Sequence, residues 1–293
     1  MTDLRGELMQ NEPMGRHCSW RTGGPVHRLY KPADSSDLQL FLRQLPDDEP
    51  VLWVGLGSNL LVRDGGFAGT VILTSGSLQK LEILESDLLY AEAGVTCAKV
   101  ARSCAREGYT GLEFFAGIPG TVGGALSMNA GAFGGETWEH VEKVTTIDHS
   151  GEIRERTPAE FDVHYREVGK PADEWFLAGY FRLAHGDVED SQRRIRELLD
   201  RRSATQPTTQ PSCGSTFRNP ENDHAARLIE SIGLKGHCIG GACVSTKHAN
   251  FIINEKDATA SDLEQLIDYV RQQVAEQCGV ELVPEVHIVG DVS

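Results

Sequence analysis

The feature that most constrains the fold is a glycine-rich run, Gly111–Glu136, which reads GLEFFAGIPGTVGGALSMNAGAFGGE. It holds eight of the 31 glycines of the chain and no lysine or arginine. Glycine lets the backbone adopt positive φ and lets another group approach the main chain closely. The run therefore predicts a loop whose backbone N–H groups turn toward a large, anionic ligand. A flexible linker is the alternative, but linkers are polar and repetitive, whereas Leu112, Phe114, Ile118 and Val122 are interleaved with these glycines.

Length and hydropathy indicate a globular chain of about two domains, since 293 residues with 40% hydrophobic content can build substantial cores. No apolar run approaches the roughly 20 residues of a membrane helix. The first residues mix acidic, basic and polar side chains and lack the apolar core of a signal peptide. We expect a cytoplasmic protein that does not act at a membrane.

The charge pattern argues against nucleic acid as a partner. The formal net charge is −15, and the one arginine-rich run, residues 193–202, also contains Glu197 and Asp200, as on a solvated helix face. An anionic substrate would therefore need its own cationic side chains at the site.

The cysteines are expected to be buried free thiols. They are odd in number and include no CxxC pair, which argues against a disulfide framework and a redox dithiol. Cys238 and Cys243, with His237 beside them, suggest zinc, but their spacing is not that of a zinc knuckle and no second ligand pair is placed to complete a tetrahedron. The sequence therefore predicts no metal site.

A second glycine signal, GLGSN at residues 55–59, follows the apolar run VLWV, which predicts a buried strand. A GxG after a strand is typical of dinucleotide folds, but those require a helix next. The following residues instead predict strand, turn and strand. A tight turn remains, whose N–H groups, with Ser58 and Asn59, suit a pyrophosphate; an ordinary hairpin turn explains the pattern equally well.

The rest of the chain alternates helix and strand signals and predicts an α+β protein. Thr96 is expected to cap a helix that ends before Gly108. The stretch 203–215 contains two prolines and no charged residue, so it predicts a boundary before a smaller C-terminal α/β domain. Further strands are expected at 51–54, 89–93, 141–148, 152–156, 176–183, 251–254 and within 280–290. Further helix N-caps are expected at Ser35 or Ser36, Asp187 or Ser191, Asn222 or Asp223, and Ser261.

Seven motifs, in order along nearly the whole chain, resemble the UDP-N-acetylenolpyruvoylglucosamine reductase family, the flavoproteins that make UDP-N-acetylmuramate for bacterial cell walls. They are WRTGGP at 20–25, GLGSNLLVRDGGFAGTVI at 55–72, the glycine-rich run at 111–136, HYR at 164–166, GSTFRNP at 214–220, VSTKHANFIIN at 244–254 and PEVHIVG at 284–290.

The resemblance implies a fold of the vanillyl-alcohol-oxidase/PCMH type, with FAD-binding subdomains at 1–75 and 76–202 and a substrate-binding domain at 203–293. It implies NADPH as co-substrate, with hydride passing through FAD to UDP-N-acetylglucosamine enolpyruvate. Apart from the resemblance, we expect a monomeric chain. The chain resembles the shorter subtype, without a tyrosine-bearing lid insertion between Tyr180 and Gln206. The residues that the resemblance assigns to FAD are Gly55, Gly57, Ser58, Asn59, Gly117, Ile118, Pro119, Gly120, Thr121, Gly123, Gly124, Asn129 and Gly131.

The resemblance also assigns the chemistry. Arg166 corresponds to the arginine beside the substrate carboxylate, although its residue type alone favours a surface ion pair with Glu167 or Asp162. Ser215 corresponds to the proton donor, and Glu285 to the acid that polarises the reacting centre.

The expected substrate contacts are Tyr165, Arg218, Asn219, Lys247, His248 and Asn250. The family usually has lysine at 218 and often has serine two residues after its YR pair, where this chain reads YREVGKP. A sugar or alcohol oxidase of the same fold is the rival enzyme. Such oxidases often attach flavin through histidine, which the FAD-loop motifs here lack. A non-enzymatic nucleotide-binding protein is disfavoured because Arg166, Ser215 and Glu285 are all present.

Overall fold

The structure, a computed structural model, describes residues 4–292. The helices are α1 (Ser35–Leu42), α2 (Cys97–Arg106), α3 (Val122–Ser127), α4 (Val188–Thr205), α5 (Ala225–Ser231) and α6 (Ala260–Cys278), with 3-10 turns at Met14–Arg16, Glu113–Gly117, Thr137–His140 and Pro158–Glu160. The strands are β1 (Glu7–Pro13), β2 (Pro25–Lys31), β3 (Val51–Val54), β4 (Leu60–Val62), β5 (Phe67–Leu73), β6 (Leu81–Leu84), β7 (Leu88–Glu92), β8 (Tyr109–Thr110), β9 (Gly131–Ala132), β10 (Gly135–Glu136), β11 (Val141–Asp148), β12 (Ile153–Arg156), β13 (Asp162–His164), β14 (Glu167–Gly169), β15 (Glu174–Arg182), β16 (Ala184–His185), β17 (Cys238–Ile239), β18 (Ala242–Val244), β19 (Ile252–Asn254) and β20 (His287–Val289).

Two compact units divide the described chain. Unit 1 comprises residues 4–9, 28–55 and 69–201, and unit 2 comprises residues 10–27, 56–68 and 202–292. Both units therefore draw on separate stretches of sequence. The three-part division at residues 75 and 202 stays a prediction.

Unit 1 is built on an antiparallel five-stranded sheet with strand order β12-β11-β15-β7-β6. The expected hairpin around residues 150–151 is present, with Val144 of β11 opposite Arg156 of β12. The apolar faces of α2 and α3 pack with this sheet in one core, in which Val100, Phe115 and Phe181 are fully buried. The glycine-rich run contributes Leu112, Phe115 and Leu126 to this core of unit 1.

Unit 2 has its own core, formed by α6 and the sheet β17-β18-β19. The buried residues of α6 recur at helical spacing and are Leu263, Leu266, Ile267, Val270 and Val274. Strand β4 pairs in parallel with β20, so that Leu60 lies opposite His287. This pairing joins the strand after the GLGSN turn to the last strand of the chain. The last strand, β20, is shorter than the strand pattern expected within residues 280–290.

The helix ends confirm some predicted caps. Thr96 accepts a hydrogen bond from the N–H of Lys99 and begins α2, as predicted. Of the two residues left open for α4, Asp187 accepts the N–H of Asp190.

Other predicted caps are wrong. Asp34, one residue before Ser35, accepts from Asp37 and begins α1. Thr259 begins α6, two residues before the predicted Ser261, and forms a capping box with Asp262.

The predicted caps of α5 are also wrong, because Asp223 pairs with Arg227 instead. The N–H of Ala225, which begins α5, is bound by the side chain of Asn219 at 3.2 Å.

The prediction of free thiols is wrong for Cys238 and Cys243, which form a disulfide. The Gly240-Gly241 turn between β17 and β18 places the two cysteines directly opposite each other, with their Cα atoms 4.1 Å apart. Sequence spacing alone does not predict this disulfide, because it depends on the register of a hairpin whose first strand is only two residues long. The other cysteines are free, and Cys18, Cys97, Cys104 and Cys213 are buried as predicted.

Among residues 4–292, no helix combines the length and the apolar character that crossing a membrane requires.

Candidate functional site

The glycine-rich loop of unit 1, residues 117–124, includes the first turn of α3 and is attached to its own unit along one edge. The N–H of Val122 donates to Val95 at 2.8 Å, the N–H of Gly123 donates to Ala93 at 2.9 Å, and Thr121 forms a β-bridge with Thr96. These bonds hold the loop against the segment that connects β7 to α2. The loop is therefore fixed before any ligand arrives.

The opposite edge of the same loop is open. Pro119 and Gly124 are exposed, although their neighbours Ile118, Thr121 and Val122 are buried. A Cβ atom on Gly124 would have only Thr121 Oγ1 within reach, at 3.9 Å. A bound dinucleotide needs exposed backbone that is held in place and not covered by side chains, so that its phosphates can approach the N–H groups. The loop thus fits the predicted cofactor.

Not every glycine of the loop has that role. A Cβ atom on Gly123 would lie 2.9 Å from Cβ of Ala93, so this glycine permits close packing of α3 on the neighbouring segment. Gly55, which precedes the second glycine signal, has no room for a Cβ because Thr121 Oγ1 occupies the place. Two predicted cofactor segments therefore meet within unit 1 at Gly55 and Thr121.

Arg166 lies against the end of the glycine-rich run. Its Nη1 donates to the carbonyl of Asn129 at 3.1 Å and its Nη2 donates to the carbonyl of Gly131 at 2.8 Å. The Asn129 side chain in turn donates to Glu136 at 2.8 Å. The predicted catalytic arginine and two predicted cofactor residues thus form one network, in which the guanidinium is held in a fixed plane.

The turn Gly57–Asn59, in unit 2, is packed by its own protein. Gly57 has φ +59°, and a Cβ on it would overlap the carbonyl oxygen of His17. Its own carbonyl accepts the N–H of Ser19 at 3.0 Å. Gly57 therefore allows the turn to pack closely against the backbone of residues 17–19.

Asn59 connects that turn to Glu285. Its Nδ2 donates to the Glu285 carbonyl at 3.0 Å, and its own carbonyl accepts the N–H of His287 at 3.1 Å. The N–H of Glu285 donates to the carbonyl of Thr216 at 2.8 Å. Ser215, next to Thr216, therefore lies on a segment that is paired with the segment of Glu285, and both side chains are partly exposed.

Asn250 supports the Ser215 segment from the other side. It is 3% exposed, and its side chain accepts the N–H of Phe217 at 3.0 Å and donates to the carbonyl of Phe217 at 2.8 Å. Its carbonyl accepts the N–H of Thr216 at 2.8 Å. The amide of Asn250 is thus used by the protein, which makes it a support for Ser215.

The remaining substrate candidates have varied surroundings. Lys247 donates to the carbonyl of Ser203 near the end of α4, and Asn219 binds the start of α5. Burial lowers the pKa of His248. The N–H of Arg218 donates to Val283 at 2.9 Å. In unit 1, Tyr165 is 46% exposed, and its ring lies 4.9 Å from Cζ of Arg166.

Sequence reasoning missed the supporting roles of Asn59 and Asn250. Both are amides that bind backbone groups of segments more than 30 positions away. A pattern along one stretch of sequence does not predict which distant segment an amide will bind. The sequence does show that each amide lies within a motif that also contains predicted site residues.

Two family models match the chain. An FAD binding domain matches residues 26–157, and the C-terminal domain of UDP-N-acetylenolpyruvoylglucosamine reductase matches residues 206–289.

Similar proteins extend over nearly the full length. A UDP-N-acetylenolpyruvoylglucosamine reductase from Alkalilimnicola ehrlichii is 59% identical over 98% of this chain and 96% of its own. One from Methylococcus capsulatus is 58% identical over 98% of this chain and 94% of its own. The crystal structure of the enzyme so named from Thermus caldophilus superposes with a TM-score of 0.84 at 31% identity, covering 98% of this chain and 100% of that one. The predicted α+β fold with an FAD-binding domain and a C-terminal domain is confirmed.

Proposed function

The chain belongs to the UDP-N-acetylenolpyruvoylglucosamine reductase family, and on this premise we propose that it uses NADPH and FAD to reduce UDP-N-acetylglucosamine enolpyruvate to UDP-N-acetylmuramate. The resemblance inferred from the seven motifs is confirmed by these relatives. The observation that most supports the activity is the backbone pairing that places Ser215 on the segment next to Glu285. A cytoplasmic location and a monomeric state stay predictions.

The reaction adds a hydride to one carbon of the enol ether and a proton to the other. Bound FAD supplies the hydride that NADPH provides. Hydride addition leaves negative charge on the carbon beside the substrate carboxylate and within that carboxylate. The protein must therefore provide a proton donor at that carbon and positive charge near the carboxylate.

We assign the proton donor to Ser215. A serine hydroxyl is a weak acid in water, but a carbanionic centre is a strong base, so a positioned hydroxyl suffices. The bonds of Thr216 to Asn250 and to Glu285 fix the backbone that carries this hydroxyl. Glu285, on the paired segment, polarises the same centre.

We assign the positive charge to Arg166. A guanidinium presents five N–H groups in one plane and grips a carboxylate through two of them. The carbonyls of Asn129 and Gly131 hold that plane in one orientation. Because the Arg166 side chain is already ordered, binding of the carboxylate costs less conformational entropy.

The test separates the two halves of the reaction. The purified protein should be yellow, lose its colour with NADPH and regain it with UDP-N-acetylglucosamine enolpyruvate. Ser215→Ala should leave reduction by NADPH near normal and slow the second half-reaction by roughly 10² or more, the weight of a positioned acid. Ser212→Ala, on the same segment, is the matched control and should leave both halves near normal.

Two outcomes contradict the proposal. One is a colourless protein that cannot be reconstituted with FAD. The other is an equal loss of both half-reactions in Ser215→Ala, which would mark Ser215 as a residue for folding or binding. Rapid oxidation by oxygen, with no response to the enolpyruvyl sugar, would favour an oxidase instead.

A further inference from the structure

A cluster outside the proposed site combines two cysteines and a carboxylate. Cys238 and Cys243 lie opposite each other across the β17–β18 hairpin, the first exposed and the second buried. Glu255 is exposed and follows β19 directly. The two Sγ atoms are joined in the disulfide, and a carboxylate oxygen of Glu255 lies within 4.8 Å of both.

The backbone holds Glu255 beside the hairpin turn. The N–H groups of Glu255 and Lys256 donate to the carbonyl of Gly241, at 3.0 and 3.3 Å. Strand β18 pairs with β19, with Cys243 opposite Ile253. The backbones of Cys238 and Cys243 are thus held by one small sheet, and that of Glu255 by its hydrogen bond to the hairpin turn.

We propose that Cys238, Cys243 and Glu255 form a binding site for a thiophilic divalent cation such as Zn²⁺ when the two cysteines are reduced. Two thiolates and one carboxylate are a donor set that zinc accepts, and a water molecule completes the tetrahedron. The disulfide is the oxidised, metal-free form of the same site.

The two forms exclude each other for a chemical reason. A thiol reductant converts the disulfide into two thiols, which gain two electrons and two protons, and the reductant leaves as its own disulfide. Metal binding then forms two metal–sulfur bonds and releases both thiol protons. The same two sulfurs therefore either form the disulfide or bind the metal, but cannot do both at once.

The hairpin geometry suits the metal-bound form. With metal–sulfur bonds of about 2.3 Å, the two sulfurs of a tetrahedral site lie about 3.8 Å apart. Once the S–S bond is broken, rotation about χ1 of the two facing cysteines lets their sulfurs move apart from bonding distance.

Metal titration of the FAD-loaded protein tests the proposal. The protein is reduced with a phosphine, freed of reductant without oxygen and titrated with Zn²⁺ against a chromophoric chelator. Cd²⁺ is titrated in parallel, and its thiolate absorption band is recorded. Reduced protein should bind one equivalent and show the band, whereas diamide-oxidised protein should bind none.

Variants locate the site. Cys238→Ser and Cys243→Ser should each abolish stoichiometric binding and the thiolate band. Glu255→Gln should weaken binding about tenfold, equivalent to roughly 1.4 kcal/mol. Cys278→Ser is the matched control, because Cys278 is the other cysteine that is not buried, and it should bind as the unchanged protein does.

Three results would overturn the proposal: no stoichiometric binding by the reduced protein, equal binding by reduced and oxidised protein, or binding that survives in the two cysteine variants. The readout is metal affinity, so failure here leaves the proposed reductase activity untouched.

Discussion

The glycine-rich loop of residues 117–124 and the glycine turn Gly57–Asn59 resemble each other in composition but differ in what surrounds them. The loop is bonded along one edge and open along the other, where a Cβ atom on Gly124 would have only Thr121 Oγ1 within reach, at 3.9 Å. The turn is closed by the protein itself, through His17 and Glu285. Glycine in the loop leaves room for a ligand, whereas Gly57 lets two backbone segments approach each other.

The largest effect is expected from Gly57→Ala. A left-handed alanine costs roughly 1–2 kcal/mol, and overlap with the carbonyl of His17 adds about 1–3 kcal/mol. We expect the free energy of unfolding to fall by about 3 kcal/mol, as measured by urea unfolding.

Gly233→Ala is the matched control for that loss. Gly233 lies in the same unit with φ +75°, but a Cβ there would meet nothing within 4 Å. It should lose only the backbone contribution, about 1–2 kcal/mol. An equal loss of unfolding free energy in the two variants would show that the close approach to His17 does not contribute. The proposed difference between the loop and the turn would then be wrong.

The next largest effect is expected on FAD affinity. Gly124→Ala fills the open edge of the loop and should weaken FAD binding about tenfold, or roughly 1.4 kcal/mol, while leaving the stability of the FAD-free protein unchanged or slightly higher. Gly123→Ala should instead destabilise the FAD-free protein by about 1–3 kcal/mol because its Cβ would press on Ala93. Fluorescence titration with FAD and urea unfolding distinguish the two outcomes, and the reverse pattern would exchange the roles of the two glycines.

The sequence signals for the loop and for the turn differ for a physical reason. The loop has a local signal, eight glycines within residues 111–136, and its contacts are with residues 93–97, about 25 positions away. The bond of Asn59 to Glu285 spans 226 positions. Likewise, the Cys238–Cys243 disulfide depends on strand register, which composition does not encode.

A smaller effect is expected from Asn59→Asp, which replaces a donor to the Glu285 carbonyl with an acceptor. Loss of a hydrogen bond worth about 0.5–1.5 kcal/mol should slow the sugar-dependent half-reaction about two- to twelvefold. FAD content and reduction by NADPH should stay near normal. This expectation rests on the proposed activity.

Asn254→Asp is the control for Asn59→Asp, since Asn254 also donates to a backbone carbonyl, that of Trp20. It should reduce stability without a selective effect on the second half-reaction. If Asn59→Asp lowers FAD affinity instead, the turn acts on the cofactor as the loop does, and the contrast between them weakens.

The smallest effect concerns acid, which should weaken unit 1 through Glu174. This carboxylate is 5% exposed and accepts bonds from Arg156 Nε and Thr146 Oγ1, each at 2.7 Å. The bonds from Arg156, and then that from Thr146, hold its pKa below the ordinary 4.5. Because the folded state has the lower pKa, this stabilisation is present above pH 4.5 and is lost as the pH falls through the folded value.

Thr146→Val tests this directly. It should cost about 1 kcal/mol at neutral pH, and the deficit should shrink once Glu174 is protonated. Thr145→Val, the neighbouring position on β11, should show a difference that does not change with pH. Urea unfolding at neutral pH and at a pH below the folded pKa of Glu174 measures both. A deficit of equal size at the two pH values would mean that Thr146 stabilises unit 1 by packing, because a bond to an ionised carboxylate must weaken when the carboxylate gains its proton.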